Sequence, residues 1–166
     1  LSAEIFVREL THLYAAAHSG KTLKLPQLPV QFADFALWQR SWLTESQLDD
    51  HLEYWRRQLT AAPRLLELPT DFPRPARLSF RGGHVTKALG LELSRQITML
   101  AGTHQATMFM TLMAAFQVLL AKLSGQQTIV VGAPIAGRNR PELTALIGFF
   151  VNTLALKAEI PPDLSF

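Results

Sequence analysis

Cysteine is missing from all 166 residues, which excludes disulfide staples, thiolate nucleophiles and cysteine-ligated zinc. Charge is also scarce: Asp, Glu, Lys and Arg make up 17% of the chain, against about a quarter in an average globular domain. The apolar share is an ordinary 48%, so the composition predicts a globular chain that buries a good deal of surface. The net charge is +3. Its basic residues stand in short groups, Arg56-Arg57, Arg74, Arg77, Arg81 and Arg138 to Arg140, and no long basic tract offers a footprint for nucleic acid. Long hydrophobic runs are lacking too. The longest, Met108 to Leu123, is interrupted by Thr111, Gln117 and Lys122, and no charged stretch leads into a signal-type apolar segment. The chain reads as soluble, and its lack of thiols suits a cytoplasmic setting. Walker A, G-x-G-x-x-G and G-x-S-x-G patterns are absent, which removes the commonest nucleotide-binding and serine-hydrolase signatures.

What is present is first a helical half. Ile5, Phe6, Leu10, Leu13, Tyr14 and Ala17 recur at spacings of three and four between Ser2 and His18, which predicts an amphipathic helix stopped by Ser19-Gly20. A linker, "KTLKLPQLP", leads to Phe32 to Leu43, where Phe32, Phe35, Ala36, Trp38 and Trp42 share one helical face. The "TESQ" run then reads as a capping box, Thr44 with Gln47, opening a third helix through Leu48, Leu52, Trp55 and Leu59.

Pro63, Pro69, Pro73 and Pro75 crowd one stretch and account for four of the ten prolines. They predict a stiff, extended crossing over residues 63–76. Beyond it the character changes. "RGGHVTKALG" alternates as a strand, Leu91 to His104 reads as a helix, and Thr107 caps a long apolar helix stopped by Ser124-Gly125. "TIVVGAPI" is expected as a buried strand, "AGRNRPEL" as a loop, and Phe149 to Lys157 as a second strand. Alternating strands and helices place the chain in the α/β class. It opens on Leu and closes on "PPDLSF", and reads as an excerpt of a longer polypeptide.

Few residues suggest chemistry. The five histidines fall on helix faces, at a helix end or at a strand start, and no nucleophile–base pair or metal-ligand spacing emerges. Arg138-Asn139-Arg140 forms either an anion-binding loop or a solvated one. Met108, Met110 and Met113 around Phe109 make either an adaptable apolar wall or plain core, and the three tryptophans read as core anchors. Asn152 is the exception. It sits in "LIGFFVNTLAL", an apolar run suited to a strand buried on both faces, where an unpaired amide would cost roughly 1–3 kcal/mol. It is therefore expected to be a structural clamp or part of a site.

Two ordered motifs carry a resemblance. "FADFALW", Phe32 to Trp38, resembles the Y-x-D-[FY]-A-V-W motif of the condensation domains of nonribosomal peptide synthetases, and "IGFFVNTLALK", Ile147 to Lys157, resembles their [IV]-G-x-F-V-N-T-[QL]-[CA]-x-R motif. "YWRRQL", "LLELPTDFPRP", "FRGG", "MTLMAAFQVLLAKLSGQ" and "IVVGAPIAGRNRPEL" extend the likeness along essentially the whole chain. Phe32 replaces a tyrosine, Leu37 a valine, and Lys157 stands where the motif ends in arginine, keeping the charge without the planar fork.

The resemblance implies part of a two-lobed fold similar to chloramphenicol acetyltransferase, with a tunnel between the lobes. On that basis residues 1–62 are expected in the N-lobe, 63–76 as an interlobe linker and 77–166 as the first part of the C-lobe. The implied reaction joins a donor thioester to an acceptor amine. Both are presented on 4'-phosphopantetheine by upstream and downstream carrier proteins, with an adenylation domain adjacent, and no cofactor is expected to bind the chain directly. The family's H-H-x-x-x-D-G motif is not in this sequence. Because "LSAEIFVREL" resembles the helix that follows that motif, the motif is expected just upstream of Leu1, no residue here is assigned as catalytic, and the chain alone is expected to be inactive. The resemblance suggests Asn152 for the tunnel wall and Asp34, Trp38, Gly148 and Thr153 as motif residues, Asp34 in a structural role. A free-standing CoA-dependent acyltransferase of the same fold and a non-catalytic docking module are the competing readings.

Overall fold

A computed structural model describes residues 1–77 and 79–163. Its elements run α1 (Ser2–His18), α2 (Phe32–Trp42), α3 (Glu45–Leu59), α4 (Leu91–Thr103), α5 (Met108–Ser124), β1 (Thr128–Ile135), a short 3-10 turn (Pro141–Leu143) and β2 (Asn152–Glu159). The two strands form one sheet. Ile160 donates to the Gln127 carbonyl at 2.8 Å, whereas Gly132 lies against Thr153. Partner numbers fall as the first strand advances, so the pairing is antiparallel.

Contacts group the chain into two compact units that do not follow chain order. The first joins Leu1–Thr60 to Gly132–Ala155, and the second joins Ala61–Val131 to the segment from Leu156 onward. The expected crossing at 63–76 thus falls inside the second unit, and a 24-residue piece of the later sequence belongs with the first three helices.

In the first unit, α2 is opened by Asp34, whose carboxylate accepts the Gln31 N–H at 2.7 Å. The expected capping box at α3 does not form. Thr44 Oγ1 faces Ser46 Oγ at 3.3 Å instead of a backbone donor, and Gln47 Oε1 is buried with no partner among the described residues. Of the apolar positions predicted for α1, only Ile5 is buried. The core of this unit is Leu143, Leu146 and Phe150, covered by Leu28, Val30 and Phe35.

The second unit rests on α4 and α5, which turn through 103° at the break between them. Thr107 Oγ1 accepts from Met110 N–H at 3.2 Å and Gly125 ends α5 at φ +69°, so both sequence signals for this helix are met. Gln117, buried on α5, donates Nε2–H to the Leu156 carbonyl at 3.1 Å and so fixes helix to strand. Gln126 treats the proline-rich stretch as a neighbouring strand would: its Oε1 accepts Glu67 N–H at 2.9 Å and its Nε2 donates to the Leu65 carbonyl at 3.1 Å.

Two strand expectations need correction. Residues 81–90 form no strand; they carry no regular structure and are exposed, with Val85 at 96% exposure, because no described segment supplies a ladder for them. The second strand begins at Asn152 rather than Phe149, and every residue in it is exposed or half-buried. A ladder of two strands cannot cover both faces of either, so burial on both sides is not reached. Among the described residues no single helix is long and apolar enough to cross a membrane.

Candidate functional site

The two motifs quoted above lie 109 positions apart, from Trp38 to Ile147, and the first unit folds them together. Phe32 packs edge-on to Phe150 with centroids 5.0 Å apart, and Phe35 meets the same ring at 4.9 Å. Gly148 is what permits this approach. A Cβ at that position would stand 2.4 Å from Phe32 Cδ2 and 3.0 Å from Phe150 Cε2, well inside van der Waals contact. The aromatic chain continues from Phe35 to Trp38 at 5.8 Å and from Trp38 to Trp42 at 5.9 Å.

Both arginines of the 138–140 loop are engaged with the protein. The Arg138 guanidinium lies 4.2 Å from the Phe150 ring centroid, donates to Ser2 Oγ at 2.8 Å and also donates to the Leu143 carbonyl. Arg140 covers Trp38 at 4.6 Å. Arg138 is half-buried on these partners while Asn139 and Arg140 are exposed, so the solvated reading holds at the tip of the loop, and the cation–π contacts belong to neither reading because their partners are far apart in sequence. Gly137 precedes it at φ +66°, where a Cβ would fall 2.0 Å from the Phe150 carbonyl oxygen.

Beside this junction opens a cavity of about 480 Å³, lined by Leu1, Ser2, Pro134 to Ala136, Arg138 and Ile147 to Val151. Its walls are mostly aliphatic and aromatic, with Phe149 80% exposed into the open space around it. The polar groups at its edge, Ser2 and Arg138, are already hydrogen-bonded to each other. Among the described residues its lining includes no carboxylate and no imidazole.

The predicted site residues divide accordingly. Gly148 and Trp38 are part of the junction, and Asp34 caps α2 as described. Thr153 stands on β2 with its methyl facing Gly132. Asn152 is exposed at the first position of β2, next to the cavity-lining Val151 but not in the lining itself, and its side chain has no hydrogen bond among the described residues. The buried amide that the apolar run implied is thus an exposed one, since the strand around it is covered on one edge only. Lys157 pairs with Glu159 at 2.9 Å, an ion pair at the strand surface rather than a planar fork. The methionines expected as wall or core at the start of α5 include Met108 and Met110 on the exposed side, with Phe109.

The family model described as "Condensation domain" matches residues 1–166. Malpinin synthetase from Mortierella alpina is 48% identical over 159 residues, covering 96% of this chain and 2% of that protein. A linear gramicidin synthase of Brevibacillus parabrevis is 47% identical over 165 residues, covering 99% of this chain and 3% of that protein. The chain therefore spans a few hundredths of the length of these relatives. Among solved structures, the X-domain from teicoplanin biosynthesis superposes with a TM-score of 0.87 at 26% identity, covering 98% of this chain and 37% of that one. The pairing of the motifs through Gly148 and the match along the whole length agree: this chain belongs to the condensation-domain family of nonribosomal peptide synthetases, as an α/β portion of that fold.

Proposed function

We propose that this chain forms one side of the acyl passage in a condensation domain that makes an amide bond between two carrier-bound substrates. The acceptor amine attacks the donor thioester carbonyl, the new C–N bond forms, the C–S bond breaks, and the donor pantetheine leaves as its thiol while the amine proton is lost. The observation that carries this reading is the cavity of about 480 Å³ against Leu1 and Ser2. If the H-H-x-x-x-D-G motif directly precedes Leu1, the segment that carries its imidazole enters at that opening, and the chain by itself has walls but no base. The apolar lining, short of free hydrogen-bonding groups, fits an acyl or pantetheine arm better than a charged metabolite.

The division into an N-lobe (1–62), a linker (63–76) and the start of a C-lobe (77–166) is part of the same proposal. On that division the first unit is where pieces of both lobes meet, since it contains Leu1–Thr60 and Gly132–Ala155. Asn152, exposed and without a side-chain partner among the described residues, is the proposed amide for a substrate carbonyl or the pantetheine arm. Upstream and downstream carrier proteins, an adjoining adenylation domain and a cytoplasmic location complete the reading.

The test uses the intact domain with two loaded carrier proteins, following the dipeptidyl thioester on the acceptor by mass spectrometry. The intact domain should form it and this chain alone should not. An intact domain that leaves both carriers unchanged would refute condensation. It would favour a docking module instead, a reading supported by the likeness to the teicoplanin X-domain, which has been solved in complex with another protein of that biosynthesis. For Asn152, replacement by Ala should lower turnover in the intact domain without moving its melting temperature.

A further inference from the structure

Ser2 is the first residue of α1, yet its hydroxyl is not used within the helix. The Oγ donates to the Gly148 carbonyl at 2.8 Å, accepts from Gly148 N–H at 3.2 Å and accepts from Arg138 Nη2 at 2.8 Å. A serine hydroxyl has one proton and two lone pairs, so its capacity is filled. Three segments distant in sequence meet on that one oxygen: the start of α1, the 138–140 loop and the run before β2. Gly148 in turn has both peptide groups tied to Ser2 while the Phe32 ring closes over its Cα.

We infer that Ser2 is a positioning residue, whose hydroxyl sets where the peptide entering α1 lies against the cavity wall at 147–151. The inference rests on the proposed function, in which the histidine motif precedes Leu1. The motif's second histidine would stand seven residues before Ser2, a reach of at most about 25 Å at about 3.6 Å per residue, so the tether fixes the near end of the segment that carries it. Releasing that end lets the segment shift against the cavity wall. Reacting atoms must be held to about 3–3.5 Å, and a misplacement of about 1 Å can cost a hundredfold in rate. Ser2 touches neither substrate nor reacting atoms in this scheme; it acts through the backbone that it holds.

The experiment compares wild type, Ser2→Ala, Ser2→Cys and Ser2→Thr in the intact domain, measuring kcat, KM for the acceptor carrier and melting temperature. Ser2→Ala should lower kcat of the folded fraction by about tenfold to a hundredfold with KM held, alongside the fall in melting temperature that losing three hydrogen bonds brings, and Ser2→Thr, which keeps the hydroxyl, should restore both. A merely structural serine would move the melting temperature first and leave kcat of the folded fraction alone, and that result overturns the inference. So does a Ser2→Ala domain that turns over at the wild-type rate. If Ser2→Ala does not fold, Ser2→Cys decides, since sulfur keeps the shape but is a weak donor and acceptor: reduced kcat in the folded variant supports the role, full kcat overturns it. A wild-type domain with no condensation activity is a different failure, that of the proposed function itself, and the inference falls with it.

Discussion

Residues 132–151 and 79–90 are both stretches largely without helix or sheet beyond β1, yet they differ sharply. In the first, irregular backbone is fixed by named partners: Arg138 on Phe150, Ser2 on Gly148, Arg140 on Trp38, with Leu143, Leu146 and Phe150 buried. In the second, Phe80 and Val85 are 93% and 96% exposed, and among the described residues the one side-chain bond is local, Ser79 Oγ accepting from Arg81 N–H at 3.3 Å. The lesson is that an irregular segment is held when its peptide groups and its apolar side chains both find fixed partners. Apolar content alone does not do it.

The sharpest way to break this contrast is at Gly137. Alanine there would meet the Phe150 carbonyl oxygen at 2.0 Å in a left-handed backbone conformation, so neither a rotamer change nor a small shift relieves it. Gly137→Ala should cost about 3 kcal/mol or more, read from the urea midpoint; a cost under about 1 kcal/mol would show that the loop is not fixed as described. Gly148→Ala comes next. Its clash is with the Phe32 ring, a side chain that can move, so about 2 kcal/mol is expected. In a double-mutant cycle with Phe32→Ala the two changes should couple favourably, because the smaller side chain removes the overlap. Strict additivity would mean that the ring and the glycine do not touch in solution.

These two glycines also show what could be read from the sequence and what could not. Helix periodicity gave α1, α2, α4 and α5 within a residue or two, because the signal is local: apolar spacing, Thr107 at the start of α5, Gly125 at its end. The need for glycine at 148 is not local. It comes from Phe32, 116 positions earlier, and no spacing rule connects them. The same holds for Arg138, whose partners Ser2 and Phe150 lie far off in the chain on one side and beyond the next turn on the other. The strand predicted at 81–90 failed for the complementary reason. Alternation describes a segment that could pair, whereas a strand exists only where a neighbour supplies the ladder. The expected burial of Asn152 fails by the same step, since an apolar neighbourhood in sequence is not burial in space.

Gln117 tests the contrast from the second unit. Its buried amide holds α5 to β2 through the Leu156 carbonyl, so here a side chain does for regular structure what Arg138 does for a loop. Gln117→Leu keeps the volume but leaves that carbonyl without this donor. A loss of about 1 kcal/mol is expected, smaller than at either glycine because nothing clashes. A neutral result would place the hold between helix and strand in apolar packing alone.

The smallest effect should come from Val85. A valine that is 96% exposed contributes almost no buried surface, so Val85→Ser should change stability by no more than about 0.5 kcal/mol. The result is informative in both directions. A small change agrees with a segment that has apolar residues but no partner. A loss above about 1 kcal/mol would mean that residues 79–90 pack against something in solution, and the distinction between the two stretches would then be one of degree. Measuring the same substitution in the intact domain sharpens the point: if a neighbouring strand there completes the ladder, the cost of removing a β-branched residue should rise, and the alternation of "RGGHVTKALG" would have described the segment's setting in the larger protein rather than in this chain.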